Sequence, residues 1–283
     1  MGQLTEARTA RSFGMLVDVL ASGNALILSG AGLSTESGIP DYRGPTGLAR
    51  RATPMTNQTF TSSATARRRY WARSYLGWRH IAQAVPNSGH LAVAELSRRG
   101  LLTGIITQNV DGLHQAAGAA DVTELHGSLH RVRCLSCGQR TSRAGLDRRL
   151  AAANPGWESA TAGLINPDGD AALDDKAAAS FMLVDCLACQ GVLKPDVVFF
   201  GENVPKPRAQ ACYTLVERAS ALVVLGSSLT VMSGLRYVRH AASLDRPVVI
   251  VNQGATRGDS YAAATLDAPL GQALRAVVSQ LDA

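Results

Sequence analysis

No apolar run in this chain approaches the roughly 20 residues that a membrane-spanning helix needs, so no transmembrane segment is expected. Charged residues are sparse, 18% against 46% hydrophobic, which excludes a chain kept disordered by its own charge. The first residues, Met1-Gly2-Gln3-Leu4-Thr5-Glu6, lack the basic start and apolar centre of a secretory signal. Glu6 also argues against a mitochondrial leader, and a cytoplasmic protein is expected. Lysine is scarce: of 28 basic residues only Lys176, Lys194 and Lys206 are not arginine. With alanine abundant as well, this is a compositional habit that carries little about function. Internal repeats are lacking, which leaves 283 residues for one large domain, or one with an insertion.

The most uneven absence is of acid. Between Asp41 and Glu95 there is no Asp or Glu, yet Arg43, Arg50, Arg51, Arg67, Arg68, Arg69, Arg73 and Arg79 fall there. Such a stretch is electropositive and recruits anions. Two readings stay open: a solvated basic face, or a surface for an acidic partner or an acidic substrate group. Nucleic acid is the least expected partner. Cysteines number only five, and in the expected compartment they point to metal or catalysis ahead of disulfides. Four form the pairs Cys134-x-x-Cys137 and Cys186-x-x-Cys189, while Cys212, in a helical pattern, reads as a buried small hydrophobe. Each pair places two thiolates on one tight turn, which suits tetrahedral zinc. Residues 138–185 separate the pairs, more than the ~15–20 of a usual zinc ribbon, so the intervening chain must loop out and return. Four sulfurs leave no open position, and the expected zinc is structural.

The richest stretch runs from Gly30 to Arg43. It follows the apolar run Ala25–Ser29, and a strand that ends in Gly30-Ala31-Gly32 before a helical turn builds a phosphate cradle. The common dinucleotide fingerprint, Gly-x-Gly-x-x-Gly, is not met, because the third glycine, Gly38, comes too late. Further apolar, β-branched runs follow at Leu102–Thr107, Val122–Leu125, Val197–Phe199, Ala221–Leu225 and Pro247–Val251. Helical patterns alternate with them over Glu6–Leu20, His90–Arg99 (capped from Asn87 or Ser88), Arg208–Ala219 and Gly271–Leu281. Buried strands alternating with helices imply an α/β fold, a doubly wound parallel sheet whose ligands bind at the strand carboxyl ends. Polar or glycine signatures stand at those ends: Gly30, Gln108-Asn109-Val110-Asp111, His126, Gly226-Ser227-Ser228 and Asn252-Gln253-Gly254. Two segments break the alternation: Pro45–Pro86, helical around Ala64–Ala84, and Arg131–Gly191, whose middle, Ala151–Ser180, reads as a loop.

Taken in order, Gly30-Ala31-Gly32-x-Ser34, Gly38-Ile39-Pro40-Asp41-Tyr42-Arg43, Gln108-Asn109-Val110-Asp111, His126-Gly127, the two cysteine pairs, Phe199-Phe200-Gly201-Glu202, Gly226-Ser227-Ser228-Leu229 and Val251-Asn252 make the chain resemble the sirtuins across essentially its whole length. The run Leu193–Pro205, Tyr70-Trp71-Ala72-Arg73 and the long insertion resemble class II members in particular. One departure is Gly44, where many relatives have Ser.

The resemblance implies a Rossmann-like NAD-binding domain over 1–44, 87–130 and 192–283. It implies a small domain from the helical segment 45–86 and the zinc-ribbon insertion 131–191, with one zinc on Cys134, Cys137, Cys186 and Cys189. It implies an NAD-dependent protein lysine deacylase, which moves the acyl group from lysine to ADP-ribose and releases nicotinamide. The alternatives are a mono-ADP-ribosyltransferase and a non-catalytic NAD-sensing or interaction protein.

His126 takes the role of base in this resemblance, a task that suits an imidazole near neutral pH. The other histidines, His80, His90, His114, His130 and His240, read as capping or surface groups. Asn109 and Asp111 take the nicotinamide side. NAD contacts are also expected from Gly30, Ala31, Gly32, Ser34, Asp41, Tyr42, Arg43, Gln108, Gly226, Ser227, Ser228, Asn252, Gln253, Gly254 and Leu270. Val198, Phe199, Gly201 and Glu202 resemble the strand offered to an extended peptide carrying the acyl-lysine, which such a strand holds by main-chain hydrogen bonds. Tyr70 and Arg73 reproduce the Tyr-x-x-Arg spacing with which class III members grip acidic acyl groups. Three apart on a helix, they share one face. A preference for larger or carboxylate-bearing acyl groups is the resulting expectation, against simple packing or exposure of both residues.

Overall fold

Two sheets of opposite character divide the strands. The structure, a computed structural model, describes residues 2–42, 54–157, 166 and 169–282. Within these residues β1 is Ala25–Ser29, β2 Leu102–Thr107, β3 Val122–Glu124, β4 Gly127–Cys134, β5 Arg140–Ser142, β6 Leu193–Val197, β7 Ala221–Leu225, β8 Val248–Val251 and β9 Ala264–Leu266. The large sheet has the order β3-β2-β1-β7-β8-β9 and every neighbouring pair is parallel. The small one, β5-β4-β6, is antiparallel.

β1 and β7 are buried at every position, because helices cover both faces of the sheet. Alternate residues feed two separate cores. Ile27, Ile105, Val223, Leu225, Val249 and Val251 pack with helices Gly2–Ala21, Ser88–Arg98 and Leu270–Leu281 through Leu16, Leu20, Val93, Leu96, Leu274 and Val277. Leu26, Leu28, Ile106, Leu222, Val224, Val248 and Ile250 face helices Lys206–Arg218 and Met232–Ser243 through Val216, Leu235 and Val238. The strict alternation is the pleat of the strands expressed as packing.

Several elements depart from the sequence expectation, among them β4 and β5, which match no expected strand. The run Val197–Phe199 does not enter the parallel sheet: β6 ends at Val197 and lies at the edge of the small sheet, where Pro195 costs no ladder bond. A short apolar run reads alike in either setting, so periodicity does not separate them. Helix Met232–Ser243 and β9 stand outside the expected elements. The first is masked by the turn residues before it, the second by its length of three.

A third core joins the helix Ala64–Gln83 to the cysteine-bearing segment, with Phe60, Tyr70, Trp71, Tyr75, Leu146, Leu150, Phe181 and Phe199 at its centre. Arg143, on the helix Arg143–Ala153, is 1% exposed within the same region. Its guanidinium bonds Asp147 and the Ser74 carbonyl, each at 3.0 Å, and stacks over Trp71 and Trp78. The stretch read as a loop thus begins inside a helix and holds the short helix Asp175–Ala178; residues 158–165, 167 and 168 lie outside the described residues. No described helix is long and apolar enough to cross a membrane.

Candidate active site and metal centre

The large sheet reverses its winding at β1. The chain runs outward from β1 to β2 and β3, then lays β7, β8 and β9 on the other side. The loops after β1 and β7 diverge there, and ligands of such sheets bind in that crevice. A cavity of about 680 Å³ opens at this point.

After β1 the chain passes straight into a 3-10 helix, Ala31–Ser37, which Gly38 ends in the left-handed conformation. Gly30 donates its N–H to the Leu225 carbonyl at 2.9 Å, and Gly32 to the Gly226 carbonyl at 2.8 Å. The glycines therefore spend their own donors on binding the β1 loop to the β7 loop. Among the neighbouring N–H groups, that of Ala31 opens the helical turn, where the helix has no earlier carbonyl to accept it.

Two and four residues past β2, Asn109 and Asp111 are buried in the cavity wall. Asn109 Nδ2 donates to the Gly30 carbonyl and to Ser34 Oγ, each at 3.0 Å. Ser34 Oγ donates to Asp111 Oδ2 at 2.7 Å, and the Leu113 N–H to Asp111 Oδ1 at 2.9 Å. A second polar row backs this one. Thr107 Oγ1 accepts the Asn109 N–H at 3.1 Å and lies 2.9 Å from Ser29 Oγ, which lies 2.8 Å from His114 Nε2. His114 is thus a buried group and not a surface one. Burial, helped by the neighbouring His90, pushes its pKa down to about 3. His90 is a capping residue as expected, closing a capping box with Asn87, yet it is fully buried.

His126 stands on the link from β3 to β4, between the two sheets. Its Nδ1 lies 2.9 Å from the Gln108 carbonyl oxygen and its Nε2 2.8 Å from Ser233 Oγ. A carbonyl only accepts, so in the neutral ring Nδ1 carries the proton and Nε2 presents a lone pair. Burial lowers the pKa of His126; the Gln108 bond opposes this and the Arg208 charge adds to it. The ring is held in its basic form.

The His126 carbonyl accepts the Val198 N–H at 2.8 Å, which fixes the post-β6 strand beside the base. Glu202 folds that strand back: its Oε2 accepts the Phe199 N–H at 3.0 Å and Lys194 Nζ at 2.9 Å. Lys194, buried over the Phe199 ring, also donates to the Val197 carbonyl. Nothing in the spacing of the sequence distinguished Lys194 or Ser233. Both become visible only through contacts between separate segments.

Of the expected NAD and peptide residues, Gly30, Ala31, Gly32, Ser34, Asp41, Tyr42, Gln108, Asn109, Asp111, Val198, Phe199, Gly201, Glu202, Gly226, Ser227, Ser228, Asn252, Gln253 and Leu270 line the cavity with His126. Gly254 does not; its carbonyl accepts Asn252 Nδ2 at 2.9 Å. Arg43 lies outside the described residues. Apolar Ile39, Met55, Val110 and Leu129 also line the cavity.

Tyr70 and Arg73 part company. Tyr70 reaches the cavity wall, packed against Phe60 and Phe199. Arg73 is not among the lining residues, and its Nη2 donates to the Leu173 carbonyl at 3.0 Å. The neighbouring arginines are used in the same way. Arg67 holds the carbonyls of Phe60 and Thr61, Arg68 that of Ala179, and Arg79 the Tyr75 hydroxyl. Much of the acid-free segment's charge therefore ties its own module together.

The sulfurs of Cys134, Cys137, Cys186 and Cys189 all lie within 4.8 Å of one another, with Cys134–Cys189 at 3.5 Å and Cys137–Cys186 at 3.8 Å. Zinc–sulfur bonds of about 2.3 Å in a tetrahedron put sulfurs about 3.8 Å apart. The donor set and its spacing fit a closed, structural zinc site. Gln139 Oε1, 3.5 Å from Cys186 Sγ, lies at its edge.

Comparison with known proteins agrees with this geometry. The model of the Sir2 family matches residues 30–233. The chain is 61% identical to NAD-dependent protein deacetylase 1 of Streptomyces coelicolor, over 94% of this chain and 89% of that protein. It is 49% identical to NAD-dependent protein deacetylase 1 of Mycobacterium avium, over 94% of each. Among solved structures it is similar to one described as a Sir2–p53 peptide–NAD+ complex, with a TM-score of 0.75, 30% identity and coverage of 94% of this chain and 97% of that one.

Proposed function

The chain belongs to the Sir2 family, and from that premise we propose how its cavity residues divide the work of NAD-dependent protein lysine deacylation. The protein is an NAD-dependent protein deacetylase, with NAD as co-substrate and structural zinc. NAD supplies the ribose carbon that accepts the acyl oxygen once nicotinamide leaves. Around it the chain's own groups bind, orient and move a proton.

The observation that carries the assignment is the environment of His126. Nδ1 is committed to the Gln108 carbonyl, so the one basic lone pair of the ring is on Nε2, which meets Ser233 Oγ, both residues lining the cavity. His126 takes the proton of a ribose hydroxyl at Nε2, and the Gln108 carbonyl steadies the imidazolium through Nδ1–H. Asn109 and Asp111, locked through Ser34, orient the nicotinamide side. The acyl-lysine peptide pairs with the strand around Val198, whose carbonyl accepts the lysine-side amide, while Phe199, Leu129 and Tyr70 wall the acyl chain. The wall there is apolar and Arg73 is engaged elsewhere, which favours neutral acyl groups such as acetyl over acidic ones.

The test is His126→Ala. Deacylation of acetyl-lysine peptides should fall roughly 10²–10⁴-fold, while NAD still binds by calorimetry. Mass spectrometry of the wild-type products should find free lysine, nicotinamide and O-acyl-ADP-ribose. ADP-ribose attached to the protein acceptor, with no free lysine, would reverse the assignment in favour of ADP-ribosyl transfer.

A further inference from the structure

Ser233 has no part in the roles assigned so far, yet its hydroxyl occupies the atom on which the chemistry depends. Ser233 Oγ is 2.8 Å from His126 Nε2. Since Nδ1 already donates to Gln108, Nε2 of the neutral ring has no proton to give, and the hydrogen of this bond belongs to the serine. The bond therefore exists in this direction only while His126 is neutral.

The placement is built and not incidental. Ser233 lies in the first turn of the helix Met232–Ser243, whose start packs against Gln108, the residue that holds the other side of the imidazole. A Cβ on Gly234 would come within 2.6 Å of Gln108 Oε1, so the glycine after Ser233 is what lets the helix start approach that side chain. Gln108 Nε2 in turn donates to Ser227 Oγ at 2.8 Å. One side chain and one carbonyl thus clamp the ring from opposite ends, and both come from segments tied to each other.

We propose that Ser233 is a positioning residue, which holds His126 in its Nε2-unprotonated tautomer in the free enzyme and yields that site to the ribose hydroxyl when NAD binds. The proposal rests on His126 being the base. The ribose hydroxyl then donates to Nε2 in the place of the serine; on transfer its O–H bond breaks, an Nε2–H bond forms, and Nδ1–H stays on Gln108. The charged and titratable groups lining this cavity beside His126 are Arg236, Asp111, Glu202, Asp41, Tyr42 and Tyr70, and the Arg208 charge acts on the ring from outside the lining. None of these is altered by removing the serine hydroxyl.

The experiment compares wild type, Ser233→Ala and Ser233→Thr, each checked for zinc content and thermal stability. The hydroxyl donates to the neutral ring but can turn to accept from Nε2–H of the imidazolium. The proposal requires the first bond to be the stronger, so its loss should raise the His126 pKa, and a fall in that pKa would overturn the proposal. The acid limb of kcat/KM, which reports the free enzyme, should move up by about half to one pH unit in Ser233→Ala, the size of one lost hydrogen bond. The limb of kcat should stay within about 0.2 unit, because the substrate has by then replaced the serine. Ser233→Thr should restore the wild-type profile. An imidazole NMR titration of free Ser233→Ala, with the His126 signal assigned by its loss in His126→Gln, should show the same upward shift. Unmoved limbs and an unmoved NMR pKa would overturn the proposal. Loss of kcat at every pH to the level of His126→Ala would also overturn it, by making the hydroxyl a reacting group. If Ser233→Ala behaves as predicted while His126→Ala retains deacylation, the base assignment fails and the contact stands.

Discussion

Gly32 donates its N–H to the carbonyl of Gly226 at 2.8 Å, so the loops after β1 and β7 touch main chain to main chain in the cavity wall. A Cβ on Gly226 would sit 2.5 Å from the Leu33 nitrogen, and the residue has φ of +63°. The left-handed conformation alone costs an ordinary residue about 1–2 kcal/mol, before any clash. Gly226→Ala should therefore lower NAD affinity at least tenfold, read by calorimetry, and lower the melting temperature by several degrees. Unchanged NAD affinity would contradict the close-contact role.

Metal analysis should find one zinc per chain. All three tryptophans, Trp71, Trp78 and Trp157, lie in or beside the module that carries the cysteines. Chelation, or Cys186→Ala, should therefore shift tryptophan emission to the red while most of the far-ultraviolet helical signal persists, because metal binding and folding are linked in such modules. A full complement of activity in zinc-free protein would count against the site.

Arg73→Met removes a charged donor from the Leu173 carbonyl, a contact worth about 1.5–3 kcal/mol. The expected loss is in stability. The ratio of kcat/KM for carboxylate-bearing and acetyl-lysine peptides should remain constant, since Arg73 does not line the cavity. A fall in that ratio of more than about fivefold, ~1 kcal/mol of selectivity, would return Arg73 to the acyl pocket.

His114 makes stability depend on pH. Above its ordinary value of 6.5 the ring is neutral folded or unfolded, and it contributes no pH dependence there. Below that, the unfolded chain takes a proton that the buried ring, with its pKa near 3, refuses. Stability should fall with acid between those two values by up to about 1.4 kcal/mol per pH unit. His90, also lowered by burial, acts in the same sense. Urea titrations from about pH 7.5 to 5 should give a smaller slope for His114→Gln than for wild type; equal slopes would locate the effect elsewhere.

Much of this protein is written in local sequence. The runs Ala25–Ser29, Leu102–Thr107 and Ala221–Leu225 form strands at those very residues, because burial on both faces demands unbroken apolar stretches. Glycines and polar residues at the strand ends, and two cysteine knuckles, identify the crevice and the metal because their chemistry needs only short spacing. What the chain alone leaves open is every relation between distant segments. Whether Val197 belongs to the parallel sheet or to the edge of a second one depends on the partner strand, which a three-residue run does not encode. Arg73 shares a helical face with Tyr70, yet the Leu173 carbonyl, 100 residues away, decides where its charge goes. The Ser233 hydroxyl meets His126 across 107 residues, and no motif spans that distance. Side-chain direction and proton position are set by the tertiary neighbours that desolvate and bond each group, and only the folded chain supplies those.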